Sequence, residues 1–335
     1  MADAAPLFEL WRGDLPESRH RGHAVVATAS GEIVAAWGDP GAIVYPRSSC
    51  KMLQALPLLE SGAGAGLSTE RLALACASHE GAAIHVTRVA AWLGEMGLTE
   101  ADLRCGPQVP SDADERRRLR EAGLATDQLH NNCSGKHAGF LTLGRRLGGG
   151  AEYVELDHPV QRAVRDAFEA MTGAPSPGWG IDGCSAPNFA CAIAGLAVAM
   201  ARMGDPAGLG ATRAGAARAL VDAMRAHPDL VAGEGRACTE LMRATGGRVA
   251  VKTGAEGVFT AILPERGLGV ALKVEDGATR ASESAIAAIL VRLGALDPAD
   301  PAARRRLSPP VESRRGRVAG HARPAPALWE DGRPI

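Results

Sequence analysis

The sequence predicts a mixed α/β (α+β) fold in which one antiparallel sheet, built from strands at both chain ends, packs with helices, while the middle of the chain forms a helical lobe. Three observations carry this. Short β-branched and apolar runs fill residues 7–12 and 23–39, a helical hydrophobic period runs from about Ser48 to Thr245, and β-rich runs return at 248–252, 256–264 and 267–275.

Taken in order, HAVVATASGEIVAAWGD holds two apolar runs on either side of Ser30-Gly31, the pattern of a hairpin. The helical block then offers candidate helices near 49–60, 69–76, 81–96, 114–122, 134–147, 157–171, 188–203 and 210–226, separated by Gly and Pro. Residues 278–294 read as a closing amphipathic helix. The expected division is a single domain over 1–300, with a sheet lobe from 1–47 and 246–295 and a helical lobe from 48–245. The Arg- and Pro-rich residues 301–335 read as a solvated tail.

The chain has 335 residues, 46% hydrophobic and 22% charged, which is a globular composition. A formal net charge of -1 supplies no general attraction to nucleic acid or anionic membrane, so neither is an expected partner and small-molecule chemistry is. The N-terminal residues show no basic start followed by an apolar run, and no apolar stretch is long enough to span a bilayer. A cytoplasmic location is therefore expected. Seven cysteines, an odd number with no repeated CxxC spacing, argue against a disulfide framework.

Only four of the 37 basic residues are lysine: Lys51, Lys136, Lys252 and Lys273. Lys51 closes the run Ser48-Ser49-Cys50-Lys51. If Ser48 opens the helix that follows, the spacing of three puts both side chains on one face, with Ser48 at the positive end of the helix dipole. A serine hydroxyl becomes a good nucleophile when a neighbouring base takes its proton. A lysine amine can do that and an arginine cannot, because arginine does not deprotonate in proteins. A capping serine followed by a surface lysine would give the same letters. Lys252, in Val251-Lys252-Thr253-Gly254, lies beside a predicted strand, and Ser134-Gly135-Lys136 stands between the two. SxxK, a middle serine element and Lys-Thr-Gly, in that order, resemble the serine β-lactamase and penicillin-binding superfamily, with the middle element altered.

Four further stretches narrow the resemblance: Arg47-Ser-Ser-Cys-Lys51, Ala77-Ser78-His79-Glu80, Asn131-Asn-Cys-Ser-Gly-Lys-His137 and Gly180-Ile-Asp-Gly-Cys-Ser-Ala-Pro187. Together they resemble the rhizobial-type, or thermolabile, L-asparaginases of the asparaginase II family over about residues 8 to 295. That resemblance implies a serine β-lactamase-like and glutaminase-like fold, a homodimer, and release of ammonia from L-asparagine. It also implies two serine-lysine pairs, Ser48 with Lys51 and Ser78 with Lys252, as the catalytic group. Cys133, Lys136 and Cys184 match the family's zinc ligands, Asp182 matches the carboxylate that holds the substrate's α-amino group, and Arg47 and His137 match residues lining the same pocket.

Spacing alone leaves Cys133 and Cys184 open to a second reading as ordinary buried cysteines. His79 and Glu80, directly after Ser78, read as orienting groups, because adjacent residues rarely give nucleophile and base the right geometry. The alternatives to an L-asparaginase are a glutaminase, which differs by one methylene of substrate, a β-lactamase-like serine hydrolase, and a non-catalytic zinc- or ligand-binding module.

Overall fold

Residues 3–335 are described by the structure, a computed structural model. Twelve strands occur among them: β1 Ala5–Arg12, β2 Leu15–Thr28, β3 Ile33–Trp37, β4 Ile43–Val44, β5 Trp179–Ile181, β6 Pro187–Phe189, β7 Cys191–Ala192, β8 Ala250–Thr253, β9 Val258–Leu263, β10 Leu268–Val274, β11 Pro310–Glu312 and β12 Val318–Pro324. The helices up to the end of the helical block are α1 Lys51–Glu60, α2 Thr69–Ala75, α3 Ala83–Glu95, α4 Ala113–Glu121, α5 Ser134–Leu147, α6 Pro159–Thr172, α7 Ile193–Gly204, α8 Ala211–Ala226, α9 Pro228–Val231 and α10 Ala237–Ala244. Three more follow, α11 Thr279–Arg292, α12 Pro301–Leu307 and α13 Pro326–Trp329. The fold is therefore a mixed α/β one with an antiparallel sheet, as the sequence predicts. No helix is long and apolar enough to cross a membrane among the described residues.

The chain divides into two compact units. One takes the residues up to Ser49, Cys191–Asp205 and Glu240–Ile335 and contains the eight-stranded sheet, ordered β11-β12-β1-β2-β10-β9-β8 with β3 also on β2. Every pairing is antiparallel, and chain-start strands meet chain-end strands at β2–β10 and β1–β12. The Ser30-Gly31 hairpin is present: β3 returns on β2 with Ala24 opposite Trp37, and Gly31 takes a φ of 97° that a side chain would resist. Consecutive residues of β9 are all buried, and so are nearly all of β10. Since side chains alternate between faces, both faces of these strands are covered. α7 and α11 pack against them. Gly269 is what admits α7, because a Cβ there would collide with the Ala197 carbonyl and the Ala201 amide.

The segment after Pro301 differs from the expected solvated tail. β12 pairs with β1 from Phe8↔Pro324 to Arg12↔Gly320, and β11 pairs with β12 at the sheet edge. The arginines do not prevent this because a strand needs only one apolar face. Ala322 and Pro324 are buried, while Arg323 turns outward over the Trp11 ring, 5.2 Å from its centroid, and reaches Glu9 at 3.3 Å. In α12, Arg306 is 8% exposed and paired with Glu240 at 2.7 Å. A second difference lies at 188–203, where the predicted helix begins only at Ile193, after β6 and β7.

The other unit takes Cys50–Ala190 and Pro206–Thr239. Its central helix is α1, in which Lys51 through Leu58 are all buried, so it has no solvent face along most of its length. α5, α6 and α8 surround it, and α2 packs against α5, α8 and α9. Gly135 gives the first turn of α5 its close approach to α2, since a Cβ there would collide with the Leu74 carbonyl. This brings the end of α2 and the start of α5 together.

The approach of α7 to β10 yields a direct test. Gly269→Ala is expected to lower the unfolding free energy by about 1–3 kcal/mol through overpacking, measured by urea denaturation. An unchanged midpoint would show that α7 does not rest on that glycine.

Candidate active site

In the sheet unit, Arg47 and Ser48 lie in a one-turn 3-10 helix, Arg47–Cys50, that runs directly into α1. Ser48 is thus in the turn before the α-helix and does not open it. Cys50 is the N-cap. Arg47 has a φ of 52°, in the left-handed region that a side chain disfavours, which marks this as a strained turn. Ser49 anchors it: its hydroxyl donates to the Pro46 carbonyl at 2.7 Å, and its own carbonyl accepts the Thr260 hydroxyl at 3.0 Å. The same Thr260 hydroxyl lies 3.3 Å from the Lys252 carbonyl, so one side chain ties the Ser48 turn to the Lys-Thr-Gly strand. Gly254 completes the fit, because a Cβ on it would stand 2.7 Å from the Pro46 carbonyl oxygen. Lys252 itself is 1% exposed.

In the helical unit, Lys51 is the first residue of α1 and is 1% exposed. A buried ammonium must find an acceptor for each hydrogen, and three are present. Nζ donates to the Ser78 hydroxyl at 3.0 Å, to the Cys133 thiol sulfur at 3.1 Å and to the Ala77 carbonyl. Ser78 follows α2 in a loop pinned on both sides, with the Ser78 N–H donating to the Val231 carbonyl and the His79 N–H to the Asn132 carbonyl. The Gly81 N–H donates to His79 Nδ1, which leaves the imidazole hydrogen on Nε2, 2.9 Å from the Ser134 hydroxyl. The Ser134 hydroxyl donates in turn to the Leu129 carbonyl. His79 therefore holds the Ser78 loop against the start of α5, the orienting role its position suggests. Glu80 accepts the Glu234 N–H, and its carboxyl pKa is raised, chiefly by burial and then by Asp112.

Cys133 is the N-cap of α5, at the start of the predicted helix 134–147, and Lys136 lies in its first turn. Cys184 comes from the β5–β6 hairpin, where Ser185 takes a φ of 69°. Lys136 Nζ donates to Cys184 Sγ at 3.0 Å and lies 5.3 Å from the centre of the Phe140 ring. The Cys133 thiol donates to Asn132 Oδ1 at 2.9 Å. The facing Cys184 sulfur, with burial, pushes the Cys133 thiol up to about 12, and Cys133, aided by Lys136, holds Cys184 well below the usual thiol range. The Lys136 amine is raised: burial opposes its charge and is outweighed by the facing Cys184 and Cys133 sulfurs and by Asp182. Asp182 caps its own hairpin, with Oδ1 accepting the Gly183 N–H at 2.6 Å.

No group of three or more His, Cys, Asp or Glu among the described residues is arranged to hold a metal ion. The expected zinc set is of another composition, two thiols and an amine, and these three are buried, with Lys136 donating to Cys184 and its charge favoured by both sulfurs. Soft sulfur donors converging with a third ligand fit zinc by type.

Of the expected residues, Lys51, Ser78 and Cys133 are brought together, as are Lys136, Cys184 and Cys133, and the backbone of the Ser48 turn is joined to that of Lys252. The contact between Lys51 and Ser78 is one that motif spacing does not announce.

The family described as L-asparaginase II matches residues 8–324, well past residue 295, where the sequence resemblance was expected to end. No curated protein matches. Among solved structures, a β-lactamase from Mycobacterium bovis is similar at 13% identity, covering 78% of this chain and 89% of its own, with a TM-score of 0.44. A D-alanine carboxypeptidase from Burkholderia cenocepacia gives 14% identity, 78% and 90% coverage and a TM-score of 0.37. The octameric penicillin-binding protein homologue from Pyrococcus abyssi gives 12%, 80% and 73%, and 0.33.

One buried group beside the Ser78 loop makes stability depend on pH. His85, fully buried on α3, stacks on His79 at 4.7 Å and its Nε2 hydrogen bonds the Asp229 carbonyl. Burial, aided by Arg88, lowers its pKa against the opposing pull of Asp229 and Asp112. The folded chain keeps His85 neutral, while the unfolded chain takes up a proton below about pH 6.5. The unfolded state therefore binds more protons in acid, and this contribution is full above that pH and declines as pH falls. Urea denaturation from about pH 7 to about pH 5 should show falling stability, with a shallower slope in His85→Gln. An equal slope in both proteins would remove His85 as the cause.

Proposed function

The chain belongs to the L-asparaginase II family of amidohydrolases, and on that footing we propose that it is an L-asparaginase, hydrolysing L-asparagine to L-aspartate and ammonia through a serine-lysine nucleophile and an acyl-enzyme. The observation that carries the mechanism is the buried Lys51 amine, 3.0 Å from the Ser78 hydroxyl and opening the helix that follows the Ser48 turn.

In this reading Ser48 is the nucleophile. The neutral form of Lys51, reached by loss of one ammonium proton, takes the hydroxyl proton as the serine oxygen attacks the side-chain carbonyl carbon of asparagine, and the carbonyl oxygen becomes an oxyanion held by backbone N–H groups, that of Ser48 among them. Ser78, hydrogen-bonded to Lys51, passes the proton to the leaving amide nitrogen, and Lys252 steadies the charge of the relay. Ammonia departs, and a water molecule, deprotonated by the same lysine, attacks the ester to give aspartate and restore Ser48. Asp182 would hold the substrate's α-amino group, and Arg47 and His137 would line the pocket. Cys133, Lys136 and Cys184 would hold a zinc ion, which when bound supplies positive charge that orients the substrate. A homodimer and a cytoplasmic location complete the reading.

Coupled ammonia detection on the purified chain, with L-asparagine and L-glutamine side by side and before and after chelation, tests it. Ammonia from asparagine is expected, and silence with both amides would end the proposal. Lys51→Met and Lys252→Met should each cost at least roughly a thousandfold in kcat, with the double variant little worse, because groups that act as a unit do not add. Activity in Lys51→Met close to that of the parent would refute the serine-lysine mechanism.

A further inference from the structure

Tyr153 lies in the loop between α5 and α6 of the helical unit and is 1% exposed. Gln161, itself fully buried, fixes the loop backbone by donating from Nε2 to the Tyr153 carbonyl at 2.7 Å. The phenol ring meets the His137 ring edge-on, 5.4 Å away at 67°, and the Phe140 ring at 6.2 Å and 61°. The phenolic oxygen has two partners: the backbone N–H of Arg104 at 2.7 Å and Nδ1 of His137 at 2.9 Å.

Counting hydrogens decides the direction of the second bond. The Arg104 N–H can only donate, so it occupies a lone pair of the phenol oxygen. The phenol has one hydrogen, which it keeps, because burial pushes its pKa up. If Nδ1 of His137 were protonated, it too would donate to that oxygen, and the phenol hydrogen would be left buried without an acceptor, a costly arrangement. With Nδ1 bare, the phenol donates to it, and the Arg104 N–H, the phenol and Nδ1 are all satisfied. The imidazole hydrogen then sits on Nε2. That atom is buried and has no hydrogen-bond partner among the described residues. A buried donor in this state is rare and is open to an acceptor from outside the protein.

We propose that Tyr153 is a positioning residue that locks His137 in the Nε2–H tautomer, keeping one buried hydrogen-bond donor ready for an acceptor oxygen of a small-molecule ligand. The identity of that oxygen, a carboxylate or amide oxygen of a small amino acid, rests on the asparaginase reading. The lock itself does not.

The test is 15N NMR on full-length, histidine-labelled protein, with L-aspartate as the probe. Wild type should show His137 with its hydrogen on Nε2, L-aspartate should shift that N–H, and Tyr153→Phe should show a mixture of tautomers. Kinetics add a readout that a structural role would not move. Tyr153→Phe should lower kcat/KM for L-asparagine roughly tenfold in the wild-type background, but by no more than about twofold in His137→Gln, whose amide nitrogen has no tautomer to set. A wild-type hydrogen on Nδ1, an unchanged tautomer in Tyr153→Phe, or losses that add across the cycle would each overturn the proposal. If neither amide releases ammonia while the spectra come out as expected, the lock stands and only the asparaginase reading falls.

Discussion

The helical unit is organised around the burial of one ammonium group. Lys51 sits at the start of a helix with almost no solvent face, and a charge in that position is tolerable only where acceptors surround it. The three it finds come from separate parts of the chain, the Ala77 carbonyl and Ser78 hydroxyl after α2 and the Cys133 sulfur at the start of α5. Satisfying one cation therefore fixes where two loops must end. The glycine at 135 and the His79–Ser134 bond serve the same end, since both hold α2's exit loop against the first turn of α5.

The same economy governs the pair of sulfurs. Cys133 accepts from Lys51 and faces Cys184, and Cys184 accepts from Lys136. Two amines and two thiols thus form one buried polar chain, in which losing any member would strand a charge or a donor. In the sheet unit the linking element is neutral. Thr260 and Gly254 set the Lys-Thr-Gly strand against the Ser48 turn through backbone carbonyls, and the strain at Arg47 is held by that packing.

How much of this was legible in the sequence depended on the distance over which each signal acts. The α5 helix was read to both its ends, because a helical apolar period and the glycine run from Gly148 that stops it lie within its own stretch. The Ser30-Gly31 hairpin was read for the same reason. β12 was not, since its arginines dominate the composition and its apolar positions have meaning only once β1 is beside it. Nor was the β5–β6 hairpin, whose strands are three residues each. In the site, SxxK announced that Lys51 would meet a serine, and the letters favoured the nearer one. The bond to Ser78, 27 residues away, is a product of packing that no local pattern encodes.

The scarcity of lysine now has a physical reading. Three of the four, Lys51, Lys136 and Lys252, are almost wholly buried, whereas arginine carries most of the outward cationic duty, as on Glu9, Glu17, Glu70 and Glu95. A guanidinium presents five donors in a rigid plane and keeps its charge. An ammonium presents three donors around one atom, can be enclosed by a hydroxyl, a sulfur and a carbonyl, and can give up its proton. The enclosure around Lys51 has that three-acceptor form, and Lys136 fits between a sulfur and an aromatic face. A guanidinium at position 51 would bring five donors in a rigid plane to a buried space shaped around three acceptors about one atom, so the packing favours lysine over arginine there.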